Sequence, residues 1–155
     1  MTEHRLFFLI TDGLQDIGPP HQDSIDVYIS SSPRDEGWVQ ENLVRFLSGP
    51  PHDLTVCINR YDKPSHPKHV LNVKQIEDSH VFLSVCSKHY ARDLTGRLNY
   101  EREVARRRKV PLTAVMKDGT AKPGDMFDAE GISFSKDGDM AMDLLLLKIQ
   151  NVLNL

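Results

Sequence analysis

Hydrophobic and polar positions along this chain follow two rhythms that alternate from one end to the other. Ile25-Asp26-Val27-Tyr28-Ile29-Ser30 has period two and β-branched residues, which predicts a strand. Ser32-Pro33-Arg34-Asp35 then offers an N-cap, a first-turn proline and a capping-box acid. Val39, Leu43, Phe46 and Leu47 recur at helical spacing, so a helix is expected to about Ser48, stopped by Gly49-Pro50-Pro51. Leu54 to Ile58 reads as a second strand, and Asn59 to His69 as a polar loop with two prolines. A short helix on Val70, Val73 and Ile76 leads to Val81-Phe82-Leu83-Ser84-Val85-Cys86, a run that fits a fully buried strand. Tyr100 to Lys109 reads as a mostly polar helix with Val104 and Ala105 facing inward, and Val110 to Met116 as a fourth strand. A long loop follows over 117–131. The brief strand Ile132-Ser133-Phe134 then precedes a last helix, with Met140, Leu144, Leu147, Ile149 and Val152 supplying the core-facing set.

Five strands with helices between them imply a parallel sheet covered on both faces. The expected fold is therefore an α/β domain built on an open, doubly wound, five-stranded parallel sheet. The Gly13 and Gly18-Pro19-Pro20 punctuation sets residues 1–23 apart as an extension or added strand, with the domain over 24–155.

Composition narrows the function. The chain has 155 residues, 22 acidic and 19 basic, for a net charge of -3. That balance disfavours an electrostatic nucleic-acid binder. The longest apolar run, Leu6 to Ile10, is five residues, against roughly 20 needed to cross a bilayer. Two cysteines make neither a disulfide scaffold nor a zinc site, and a reduced cytoplasmic setting is expected.

In doubly wound sheets ligands collect beyond the carboxyl ends of the strands. Those ends carry Ser30-Ser31-Ser32, Asn59-Arg60-Tyr61-Asp62, Ser87-Lys88-His89 and Lys117-Asp118. Neither G-x-x-x-x-G-K-[ST] nor G-x-G-x-x-G is present, so no phosphate loop or dinucleotide fingerprint is expected. His66 and His69 have ligand-like spacing without a completing set, and no metal site is expected.

Four stretches together resemble the Toll/interleukin-1 receptor (TIR) family, animal receptor and adaptor branch. Asp26 to Ser30 with Asp35 and Trp38-Val39 is similar to its first box. Gly49-Pro50-Pro51, Leu54 to Asn59, Asp62 and Pro64 are similar to its second strand and BB loop. Ile76 to Ser79 with Val81 to Ser87, and Tyr100-Glu101-Arg102-Glu103-Val104-Ala105, resemble later elements in the right order. The resemblance implies a flavodoxin-like strand order 2-1-3-4-5. That order would hold Cys57 and Cys86 roughly 9–10 Å apart, beyond the reach of a disulfide.

The resemblance also implies a protein–protein interaction module for innate immune signal transduction. It would assemble with other TIR domains, in head-to-tail oligomers or filaments, without a cofactor and without inserting into membrane. Its contact residues would be Tyr61, Asp62, Lys63, Pro64 and Ser65 in the BB loop, with Ser30, Ser31, Asp35 and Trp38 in the box-1 region. The alternative from a different class is a self-assembling NAD hydrolase, with NAD as substrate and Glu101 as the catalytic acid. Against it, the BB loop lacks the family's glycine, and Arg97 stands where tryptophan is common. An arginine there would pair with Glu101. The plainer account of Glu101 is an exposed charge at a helix N-terminus, favoured by about 0.3–1 kcal/mol. On that account Glu101→Ala is expected to leave signalling intact. Arg106-Arg107-Arg108-Lys109 reads either as a docking patch or as a solvated helix end.

Overall fold

The computed structural model describes residues 24–59, 68–93, 96–119, 122–126 and 129–153. The extension over 1–23 and the BB-loop residues 61–65 lie outside them. Five parallel strands form one sheet: β1 (Ile25–Ser30), β2 (Val56–Ile58), β3 (Ser79–Cys86), β4 (Leu112–Met116) and β5 (Glu130–Ser133). Their order is β2-β1-β3-β4-β5, which is the expected 2-1-3-4-5. In register, Tyr28 faces Cys57 on one side and Phe82 on the other. Cys57 and Cys86 are buried and not joined in a disulfide, on strands to either side of β1.

The helical run α1 covers residues 33–48 and begins with the expected cap and proline, but Asp35 does not close a capping box, its carboxylate accepting from Ser87 and Lys117 instead. Ser32 accepts a hydrogen bond from the Arg34 amide at 3.3 Å, Pro33 starts the first turn, and the turn tightens to a 3-10 geometry over Pro33–Asp35. The run widens to a π turn over Gln40–Val44 before closing as α-helix at Arg45–Ser48. Gly49 follows because a Cβ there would sit 2.8 Å from the Arg45 carbonyl oxygen. The remaining helices are α2 (Lys68–Glu77), α3 (Lys88–Ala91), α4 (Arg97–Arg107) and α5 (Gly138–Leu153).

Period-two alternation in β3 assigns its side chains to two cores. Val81, Leu83 and Val85 join Val39, Leu43 and Leu47 of α1 and Ala141, Met142, Leu145 and Ile149 of α5. On the other face Phe82, Tyr28 and Cys57 pack with Ile76 of α2 and with Val104 and Ala105 of α4. The Tyr28 and Phe82 rings stack at 5.6 Å.

Two sequence expectations are corrected here. Helix α4 starts three residues earlier than predicted and buries Leu98, Glu101 and Arg102 besides Val104 and Ala105. Helix α5 keeps Ile149 and Val152 of its expected set against the core but turns its other expected residues outward. Met140, Leu144 and Leu147 are 61%, 51% and 56% exposed, while Ala141, Met142, Leu145 and Ile149 turn inward. The helix is apolar around most of its circumference, so periodicity alone admits either face.

Candidate functional site

The carboxyl ends of β1 and β2 converge with α2 and α4 on one carboxylate. Glu101 sits in the first half of α4 and is 1% exposed. Its Oε1 accepts from the Ser30 hydroxyl at 2.8 Å and from the Asn59 amide at 3.1 Å. Its Oε2 accepts from the Asn72 amide at 3.2 Å. Each donor comes from a different element: β1, the residue after β2, and α2. Glu101 is therefore a junction of four segments and not an exposed helix-end charge, which corrects the plainer sequence account.

The donors are themselves held. Asn59 also donates to the Ser31 carbonyl at 3.1 Å and accepts from the Ser31 amide at 3.3 Å, so its side chain clamps the end of β1. Ser30 lies 3.0 Å from the Tyr90 hydroxyl, which accepts in turn from Ser84 at 2.5 Å. With the Ser30 proton committed to Glu101, the chain runs Ser84 to Tyr90 to Ser30 to the carboxylate, each hydroxyl donating onward. Such chains polarise cooperatively. Burial pushes the Tyr90 hydroxyl up to about 12, so it stays a neutral donor. The Arg102 guanidinium sits 5.4 Å over the Tyr90 ring and bonds Asp125 at 2.9 and 3.1 Å. That hydrogen bond holds Asp125 below the usual carboxylate range.

Glu101 itself is raised from an ordinary 4.5 to about 7. Burial is the cause. The bonds from Ser30, Asn59 and Asn72, and the charge of Arg97 one turn away, pull in the other direction but do not cancel it.

A second buried carboxylate lies at the box-1 position. Asp35 is fully buried and accepts from Ser87 at 2.5 Å and from Lys117 at 2.8 Å. Ser87 caps α3 by accepting from the Tyr90 amide at 3.1 Å, so the two networks are mechanically joined. Lys117 also lies 5.8 Å from the Trp38 ring, which packs edge-on against Phe134. Asp35→Asn keeps an acceptor for Ser87 and removes the anion facing Lys117. A loss of about 2 kcal/mol is expected, read as a lower urea midpoint. An unchanged midpoint would mean that water already serves Lys117.

Of the predicted contact residues, Ser30, Ser31 and Asp35 are 0%, 2% and 0% exposed. This corrects their expected surface role: their polar atoms are spent inside the domain. Trp38 is half-buried. Arg106 to Lys109 are exposed, and Arg108 pairs with Glu77 at 2.8 Å. Sequence reasoning missed Asn72, Ser84 and Tyr90. Ser84 carried a usable signal, since a polar residue inside a fully buried strand must find a partner.

A groove of about 490 Å³, lined by Ser32, Pro33, Arg34, His89, Arg92, Asp93 and Leu98, opens beside these networks. Glu101 is not in its wall. Among the described residues no cluster of three or more His, Cys, Asp or Glu side chains is placed to hold a metal, and no helix is long and apolar enough to cross a membrane.

The arrangement defines a class: an open, doubly wound α/β domain whose strand ends close over buried polar networks. No protein-family model and no curated protein matches the sequence. Among solved structures the chain is similar to the TIR domain of the Toll-related receptor TRR-2 from Hydra magnipapillata. The TM-score is 0.65 at 19% identity, over 82% of this chain and 99% of that one. The fold is thus the TIR fold, in the flavodoxin-like arrangement.

Proposed function

We propose that this chain is a TIR-type interaction module that assembles homotypically in innate immune signal transduction, in the cytoplasm. The observation that carries the reading is the closure of Glu101 inside a TIR fold. Both carboxylate oxygens are filled by donors of the chain itself, so the residue ties elements together instead of presenting itself to a substrate. The Hydra relative in fold is the TIR domain of a Toll-related receptor, which supports a signalling role. Partners are other TIR domains. Contact between the BB loop of one copy, residues 61–65, and a different surface of the next is heterologous and extends into open strands. Light scattering of the purified protein across concentration tests this. Asp62 and Pro64 replacements are expected to lower assembly while leaving the thermal midpoint in place. A protein that stays monomeric at every concentration would refute the reading.

The second reading is the self-assembling NAD hydrolase. It is favoured by one observation, a carboxyl raised to about 7, in the range of a general acid. Clustered protein incubated with NAD distinguishes the two. Nicotinamide release that disappears in Glu101→Gln would establish the enzyme, and its absence is expected.

A further inference from the structure

The exposed stripe of α5 and a groove on the opposite side of the sheet each combine apolar surface with charge of opposite sign. On α5, Met140, Leu144 and Leu147 lie at helical spacing on one exposed face, about 10 Å long. Asp143 lies on the same face, three residues from Met140 and four from Leu147. Asp139 is exposed at its edge. The basic residue of this helix, Lys148, pairs with Glu130. The stripe is therefore apolar and acidic. Across the sheet, α2 and α4 enclose a groove of about 370 Å³ lined by Val73, Val104, Tyr100, Glu77, Arg107 and Arg108. Tyr100 is 42% exposed, and the Arg107 guanidinium sits 5.9 Å over its ring. This surface is aromatic and apolar with a rim in which arginines outnumber acids.

We infer that the α5 stripe of one copy of this chain docks into the α2–α4 groove of a second copy. Leu144 and Leu147 would meet Val73 and Tyr100, and Asp139 and Asp143 would meet Arg107, Arg108 being already held by Glu77 at 2.8 Å. The acids of the stripe discriminate between its occupants, because they repel anionic lipid and acidic peptides while attracting this rim. The two surfaces lie on opposite faces of the sheet, α5 packing on the side of Val81 and α2 with α4 on the side of Phe82. A bound pair consequently leaves one surface of each kind unused, so the contact propagates. The inference rests on the homotypic reading and names surfaces for it that do not involve the BB loop.

Charge reversal tests it with the full chain, by sedimentation at low salt. Asp143→Arg and Arg107→Asp are both exposed substitutions and are each expected to lower the association constant at least tenfold, with thermal midpoints unchanged. Mixing the two variants is expected to restore association, since each then meets a partner of opposite sign at every contact. If the native chain associates and neither reversal weakens it, this interface is refuted while the homotypic reading stands. If removing residues 1–23 strengthens association that ignores both reversals, the stripe belongs to the chain's own N-terminal segment, and the inference fails. A native chain that never associates overturns both.

Discussion

Glu101→Ala is expected to destabilise the domain by about 3–5 kcal/mol, out of the 5–15 kcal/mol typical of a whole domain. The truncation removes, in a buried space, the acceptor that the Ser30 hydroxyl and the Asn59 and Asn72 amides each bond at 2.8 to 3.2 Å. An unmade bond at a buried donor costs about 1–3 kcal/mol, and the lost side-chain volume adds a cavity. Glu101→Gln is the control. It preserves volume and one acceptor, and Asn72 can turn its amide so that its oxygen faces the new NH₂ group. At pH 4.5, where the folded native chain also keeps its carboxyl protonated, that variant is expected within about 1 kcal/mol of the native protein. Urea unfolding of the three proteins measures the series. An alanine variant as stable as the native chain would reduce Glu101 to the helix-end charge of the plainer account. Loss of any activity in Glu101→Ala is consequently no evidence of catalysis, since the same substitution removes a fold junction.

The strands and the two-faced core were legible because strands buried on both faces read as short apolar runs, plain in Val27-Tyr28-Ile29 and in Val81 to Cys86. The resemblance to TIR domains added the order of the strands, and the sheet agrees with it. The interior of the site was not legible in the same way. Glu101 stands among Tyr100, Arg102 and Glu103, a local pattern that reads as solvated. It is buried because three donors from distant segments meet it, and a periodicity measured along one helix contains none of them. Arg102 is hidden for the same reason, its partner Asp125 being 23 residues away. Asp35 was read as a contact residue from its place in the first box. Its partners Ser87 and Lys117 were both noted at strand ends, but nothing local says that those ends touch. On α5 the failure has the opposite cause: too many apolar positions leave two candidate faces, and packing against α1 and the sheet selects one.

The native domain is also expected to lose stability as pH rises from about 4.5 to about 7. Glu101 is raised to about 7 in the folded chain from an ordinary 4.5. Between those values the unfolded chain has released its proton while the folded chain still holds one. The folded state binds more protons, so raising pH favours unfolding. The contribution is fully present below 4.5 and is gone above 7, and at about 1.4 kcal/mol per unit it totals roughly 3 kcal/mol. Its origin is the burial of the carboxylate, opposed in part by Ser30, Asn59, Asn72 and Arg97. Glu101→Gln carries no proton to lose, and titrations common to both proteins cancel in their difference. The stability of Glu101→Gln relative to the native chain is therefore expected to climb through this window and then level off. Parallel urea midpoints from pH 4.5 to 8 would show that the carboxylate is ionised throughout, and that its three donors, not burial, set its charge.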